Sequence, residues 1–444
     1  MVKPMPPKGS ARAEALSNAE IEKATRFLAV GDIPRAAAVL DELQRKVQGD
    51  PRLYLLAMQI AELSGRPEAA LEAAQLAVKS APKWPIAAME LAMCLGRQNR
   101  FQEAVMEAER AISLAPDDPH LRNGIVQIAH RSGLVAIAVK HLHRLIELTH
   151  PANDRFKAML ARNLTALGRP SEALPIFSEL IAAKPNDSSL REGRALAAQA
   201  AGDAALACGD WSFLCEQDPD NEGFRFALAA AQGNPPATRP AAVMRVLFDE
   251  MAEVYDQRMV RQLGYQLPKV VADWILSEHP DRKLNILDIG CGTGLLGVCL
   301  GRLDGALIGV DISPRMIEQA HRHGLYDRFH TVDLLDALRD TPADTFDLVA
   351  ALDVFSYVGD LTQAVLDAAR ILKADGTLVL SCERTGEGEP PLTLRANGRY
   401  AHQQTAVQVA LEVAGFSSVS VRDCVLHKEQ GQPVDGFWIV ARKA

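Results

Sequence analysis

The sequence predicts a two-part chain: an N-terminal all-α solenoid of repeated helix pairs, followed by an α/β domain on a Rossmann-like parallel sheet. Three observations carry this. Gly31, Gly65, Gly133, Gly168 and Gly202, with Asn99 filling the open slot, recur at separations of 34, 34, 34, 35 and 34 residues through the first half. After Ala241 short apolar runs alternate with helical ones, the pattern of parallel strands joined by crossover helices. At Leu287-Asp288-Ile289-Gly290-Cys291-Gly292-Thr293-Gly294 a strand-like run turns into a helix through three glycines, which lets bare backbone approach a ligand.

Bulk properties narrow the class. With 444 residues the chain exceeds one usual core. Hydrophobic content of 48% and charged content of 23% are those of an ordinary soluble protein. A net charge of −8 argues against a nucleic-acid backbone as partner. No apolar run reaches the roughly 18 residues of a membrane span. Seven dispersed cysteines without a Cys-x-x-Cys pair predict reduced thiols and a cytoplasmic location. Residues 1–16 open with Lys3, Lys8 and three prolines and no apolar stretch, which predicts a disordered tail rather than a signal peptide.

In chain order, six repeats are expected at about 17–50, 51–84, 85–118, 119–153, 154–187 and 188–221. Five residues after each turn position stands an alanine: Ala36, Ala70, Ala104, Ala138, Ala173 and Ala207. Pro82, Pro116, Pro185 and Pro219 end several units. The pattern resembles the tetratricopeptide repeat, a pair of antiparallel helices with a glycine turn and a close-packing alanine. The resemblance implies a solenoid with a concave face for a protein partner or a protein acceptor. Residues 222–232 read as a capping helix, and 233–240, Gly-Asn-Pro-Pro-Ala-Thr-Arg-Pro, as a linker that cannot continue it.

From Ala241 onward, strands are expected near 284–289, 306–310, 329–332, 346–351 and 377–382, then near 418–426 and 434–442. The glycine motif is not a dinucleotide fingerprint, because Leu295 stands where the third glycine is needed. Asp288 just before the glycines repels a pyrophosphate and welcomes an ammonium group. The stretch resembles the first motif of class I S-adenosylmethionine-dependent methyltransferases, hydrophobic-Asp-hydrophobic-Gly-x-Gly-x-Gly, at every position. Asp311 ends the next apolar run 23 residues after Asp288, placed to accept from two ribose hydroxyls. Ile312 follows it and is expected against the adenine. Asp333, with Leu334 after it, closes the third run; the resemblance implies that an acid there takes the adenine amino group.

Phe248-Asp249-Glu250-Met251-Ala252-Glu253-Val254-Tyr255-Asp256 is similar to the helix that lids the cofactor in many such enzymes, with Tyr255 at the pocket. Met251 and Gln266 replace the Tyr and Arg that relatives often carry. Leu352-Asp353-Val354-Phe355-Ser356-Tyr357 falls where the resembled family places residues beneath the transferable methyl group. It lacks the Asp/Asn-Pro-Pro-aromatic pattern, which disfavours planar amides and flipped bases as acceptors. The expected cofactor set is therefore Tyr255, Asp288, Gly290, Gly292, Gly294, Asp311, Ile312, Asp333, Leu334 and Asp353.

The expected catalytic set is Arg399, Tyr400 and His402, in a Gly-Arg-Tyr-x-His stretch similar to one in tetratricopeptide-linked methyltransferases. His402 would accept the acceptor's proton and Arg399 would hold an acidic group. The alternative is a helix start with polar caps. No metal is expected: His141/His143 and His321/His323, two apart on helices, point to different faces.

The implied activity is transfer of a methyl group from S-adenosylmethionine to an O or N nucleophile, leaving S-adenosylhomocysteine. The repeats would recruit a protein or protein-bound acceptor. The alternatives are a small-molecule methyltransferase whose repeats recruit a partner, and a non-catalytic cofactor-binding scaffold.

Overall fold

The computed structural model describes residues 11–444 except 48, 150–152, 396, 430 and 431. Most of the expected tail, 1–10, and the middle of the expected turn at 428–433 lie outside the described residues. The first helix, Ala11–Ala29, begins within the stretch expected to be tail, where alanines, Glu14 and Leu16 favour helix. The chain divides into two compact units, Met1–Ala197 and Ala198–Ala444.

The first unit is helical throughout. Its pairs are Ala11–Ala29 with Ile33–Lys46, Pro51–Leu63 with Pro67–Ser80, Pro85–Arg97 with Phe101–Leu114, Pro119–Arg131 with Val135–Leu148, and Asp154–Ala166 with Pro170–Ala183. Ser188–Ala201 spans the division between the units, and Ala204–Gln217, with the same helical pattern, belongs to the second. The periodic turn residues share one conformation, with φ of 76° at Gly31, 67° at Gly65, 63° at Asn99, 70° at Gly133, 71° at Gly168 and 78° at Gly202. Glycine takes this left-handed geometry without steric cost, and asparagine is among the few side chains that tolerate it. The turn closes the same way each time: Arg66 N–H donates to Ala61 O, Leu134 N–H to Ala129 O and Arg169 N–H to Leu164 O, all at 2.9 Å. All six periodic alanines are fully buried, as close approach of paired helices requires.

The second unit carries a nine-stranded mixed sheet. Its strands are β1 Ile286–Ile289, β2 Leu307–Asp311, β3 Arg328–Thr331, β4 Phe346–Ala351, β5 Leu372–Arg384, β6 Leu392–Leu394, β7 Tyr400–His402, β8 Phe416–Glu429 and β9 Gln432–Lys443. The order is β3-β2-β1-β4-β5-β7-β6, with β9 antiparallel on β5 and β8 antiparallel on β9. β1 pairs in parallel with both β2 and β4, and all four of its residues are buried, which explains its unbroken apolar run. Chain order reverses between β2 and β4 around β1, so a crevice is expected at the carboxyl ends of these strands.

Residues 233–240 do not hang free. Thr238 bridges Val358 in antiparallel fashion, Gly359 N–H donates to Ala237 O at 2.6 Å, and Arg239 N–H donates to Tyr357 O at 3.1 Å. Only glycine suits position 359, since a Cβ there would stand 2.9 Å from Ala237 O.

Candidate functional site

The turn after β1 is left-handed at Gly290, Gly292 and Gly294, with φ of 66°, 54° and 85°. The three glycines serve different ends. A Cβ at Gly290 would fall 2.6 Å from Val354 Cγ2, and one at Gly294 would fall 3.1 Å from Ala320 Cβ and 3.2 Å from the Tyr326 ring. A Cβ at Gly292 would meet nothing within 4 Å. Gly290 and Gly294 thus admit neighbouring elements, whereas Gly292 faces open space.

Asp311, at the end of β2, is buried and accepts from Gly292 N–H at 2.9 Å and Ser313 N–H at 2.8 Å, one per carboxylate oxygen. Each oxygen keeps a lone pair for a further donor. Burial pushes its pKa up, against those amide bonds. The helix Ala241–Met251 and the turn after it are pinned to these loops by two acids: Asp249 accepts from Ser313 Oγ at 2.6 Å, and Asp256 accepts from Thr293 Oγ1. These tethers are what the Phe-Asp-x-x-Ala-x-x-Tyr-Asp segment supplies, and they set Tyr255 over the glycine turn.

A cavity of about 260 Å³ lies between these elements. Of the expected cofactor residues, Tyr255, Gly290, Gly292, Asp311, Ile312, Asp333, Leu334 and Asp353 line it. Asp288 and Gly294 do not. Asp288 is buried, accepts from Tyr326 Oη at 2.6 Å, and is pushed up to about 7 by burial while that bond pulls the other way. It braces β1 against Tyr326 and does not line the cavity.

The expected catalytic set also lies off the cavity, for a consistent reason. Arg399 is buried, ion-paired to Asp353, and donates to Ser356 Oγ at 2.8 Å and Tyr357 Oη at 3.0 Å. Tyr400 donates its hydroxyl to Pro236 O. His402 Nε2 stands 3.0 Å from both Val358 O and Gly359 O, so it carries the proton and donates. Burial lowers the His402 pKa, with the two carbonyl bonds opposing, and its Nδ1 has no partner among the described residues. Arg399, just before β7, and Tyr400 and His402 on it anchor the loop after β4 or the segment before Ala241. They hold the wall and do not line the cavity. Residues 385–391 do not line it either.

Sequence reasoning missed other lining residues. Thr238, Arg239 and Pro240 came from a stretch read as linker, and Met244 and Met316 from segments given no role in the sequence reading. Of the 352–357 segment, Tyr357 lines the cavity, its ring edge-on to Phe248 at 5.5 Å, whereas Phe355 is buried in the core. The proline-bounded Thr238-Arg239-Pro240 was the available signal, since a lone arginine between prolines has no helix or strand to serve.

The lining fits an adenosyl group: Asp311 offers two acceptors beside the open Gly292 backbone, and Ile312, Val332, Leu334 and Leu335 supply an apolar slot ending at Asp333. Among the described residues no His, Cys, Asp and Glu cluster suits a metal ion, and no helix is long and apolar enough to cross a membrane.

Known families match both parts. A methyltransferase-domain family matches residues 287–378, and a tetratricopeptide-repeat family matches 21–85, 64–119 and 158–222. The mitochondrial ubiquinone biosynthesis O-methyltransferase of Bos taurus is 36% identical over 117 residues, 24% of this chain and 31% of that protein. The ubiquinone biosynthesis O-methyltransferase of Xanthomonas oryzae pv. oryzae (strain PXO99A) is 32% identical over 120 residues, 26% of this chain and 50% of that one. The chain therefore spans half or less of the length of these relatives. Among solved structures, the magnesium protoporphyrin IX methyltransferase of Synechocystis PCC 6803 with bound S-adenosylhomocysteine is 19% identical, with a TM-score of 0.38 over 46% of this chain and 99% of that one.

Proposed function

We propose that the second unit binds S-adenosylmethionine at the carboxyl ends of β1, β2 and β4 and that the chain transfers its methyl group to an O or N nucleophile. The observation that carries this is the pairing of Asp311 with Gly292: a buried carboxylate with acceptor capacity left on both oxygens, beside backbone that no side chain covers. Asp311 takes the ribose hydroxyls, Asp333 the adenine edge, and Tyr255 covers the cofactor from the turn that follows the tethered helix. The cofactor supplies an electrophilic methyl on a sulfonium. Asp353, paired with Arg399, lies beneath the reacting end. The protein's part is alignment. Among the described residues the titratable acidic side chains that line the cavity are Asp311, Asp333, Asp353, Tyr255 and Tyr357, with no histidine, lysine or cysteine.

The repeats support a protein-recruiting role, with a protein or protein-bound acceptor as one reading. The matched O-methyltransferases and a cavity walled by Pro240, Met244, Phe248 and Val358 favour a small-molecule acceptor, with the repeats recruiting a partner. Calorimetry with S-adenosylhomocysteine on the full chain tests the cofactor site; no saturable binding overturns it. Methyl release from labelled S-adenosylmethionine with candidate acceptors then separates an enzyme from a binding scaffold.

A further inference from the structure

Arg239 has no role in the reading above. It is the one basic side chain among the described residues lining the cavity. Its main chain is held by Tyr357 O, and its neighbours are fixed by the Thr238–Val358 bridge. Its guanidinium packs against Gly398: a Cβ there would fall 2.8 Å from Nη1 and 3.0 Å from Cζ. Its Nε is buried without a partner, and among the described residues no carboxylate or carbonyl pairs with the group. The contrast with Arg399 is direct, since that guanidinium is neutralised by Asp353 and stands 3.6 Å from Glu383. The other charged groups facing the cavity, Asp311, Asp333 and Asp353, are each already hydrogen-bonded or ion-paired within the fold. A half-buried guanidinium without an anion is costly, and a planar carboxylate matches its donor fork. Around it stand Pro240, Met244, Phe248, Tyr357 and Val358, an apolar and aromatic setting.

We propose that Arg239 is the specificity residue for the methyl acceptor, and that the acceptor is an apolar molecule carrying a carboxylate. This rests on the cofactor reading above. The guanidinium takes the carboxylate in a charge-assisted pair while Phe248 and Tyr357 cover the apolar body. The acceptor's nucleophile is thereby held at a fixed distance from its acid group, and neutral analogues of the same shape are rejected.

The test uses the full-length protein saturated with S-adenosylhomocysteine and matched acid–amide pairs: benzoate with benzamide, and 3-phenylpropionate with 3-phenylpropionamide. In at least one pair the acid should bind about tenfold or more tighter than its amide. Arg239→Gln should abolish that preference, Arg239→Lys should keep part of it, and both should bind S-adenosylhomocysteine as the parent does. The proposal is overturned if no acid outbinds its amide, or if the preference survives Arg239→Gln. It is also overturned if Arg239→Gln weakens S-adenosylhomocysteine, because Arg239 would then hold the cofactor's own carboxylate. A parent protein that binds no S-adenosylhomocysteine refutes the cofactor reading instead, and the acid–amide comparison on the bare protein still decides Arg239.

Discussion

Replacing Asp311 tests the cofactor site where its energetics are concentrated. On the proposed reading its two oxygens each accept one ribose hydroxyl, and bonds to a charged acceptor contribute roughly 1.5–3 kcal/mol apiece. Losing both should weaken S-adenosylhomocysteine by at least about 100-fold, taking roughly 1.4 kcal/mol per decade. The same carboxylate also holds Gly292 N–H and Ser313 N–H. Asp311→Ala therefore leaves two amides unpaired and should lower the melting temperature as well. Removing a carboxylate whose ionised form is disfavoured by burial offsets part of that loss. Asp311→Asn separates the effects: it keeps the shape but presents an NH2 to one of those amides and cannot accept with both ends. The assay is calorimetric titration of full-length parent and variants with S-adenosylhomocysteine near pH 7, alongside melting curves. If Asp311→Ala melts cooperatively and binds with parental affinity, the assignment of the ribose site is wrong.

Asp288 gives a pH signature. Its folded pKa near 7 exceeds the ordinary 3.8, so its contribution to stability is complete below about pH 4 and is lost as pH rises through 7. Denaturant melts should show the parent losing stability relative to Asp288→Asn across that window; parallel curves would refute the burial argument. Gly292→Ala and Gly290→Ala both strain a left-handed residue, but only position 290 also meets a side chain. Gly292→Ala should chiefly weaken cofactor binding and Gly290→Ala chiefly lower the melting temperature, and equal effects on both readouts would refute the distinction. His402→Gln should destabilise the fold without moving the low-pH limb of the rate profile. Because burial depresses the His402 pKa, the parent's advantage in stability over this variant should shrink as pH falls below about 6.5; a shifted rate limb with unchanged stability would restore His402 as proton acceptor. A fragment spanning 198–444 should bind S-adenosylhomocysteine like the full chain, and one starting at Ala241 more weakly, since it lacks the Thr238–Val358 bridge that holds the loop after β4 at the cavity; equal affinity would show that bridge to be dispensable.

The repeat architecture was legible because its signal is redundant. Each left-handed turn and each buried alanine recurs on the same period, so one substitution such as Asn99 does not hide it. The strand ends were legible because an apolar run followed by an acid has few other uses, and Asp311, Asp333 and Asp353 all face the cavity. Asp288 lies off the cavity because it is engaged by Tyr326, which stands 38 residues on, beyond the reach of local pattern. Arg399, Tyr400 and His402 misled for a related reason. A histidine read from sequence looks the same whether it faces a ligand or donates to two buried carbonyls. The difference lies in Val358 and Gly359, more than 40 residues earlier. Arg239 was passed over because prolines and glycine mark a connection, and connection chemistry says nothing about what the connection rests on.

These placements assign opposite tasks to two nearby arginines. Arg399 is spent inside the protein: it binds Asp353, Ser356 and Tyr357 at once and so holds the loop after β4 in the conformation that puts Asp353 at a φ of 57°. A non-glycine residue in that region persists only when its surroundings impose it, and a buried ion pair with further hydrogen bonds does so. Tyr400 and His402 extend the same function to Pro236, Val358 and Gly359. With Tyr357 fixed from one side by Arg399, its carbonyl is free to hold the backbone of Arg239 from the other. Because Arg399 is neutralised within the clamp, the Arg239 guanidinium is the unneutralised cation among the described residues lining the cavity. On the proposed reading Arg239 fixes the acceptor's carboxylate, and alignment of its separate nucleophile against the cofactor's methyl group is what remains for the cavity wall to supply.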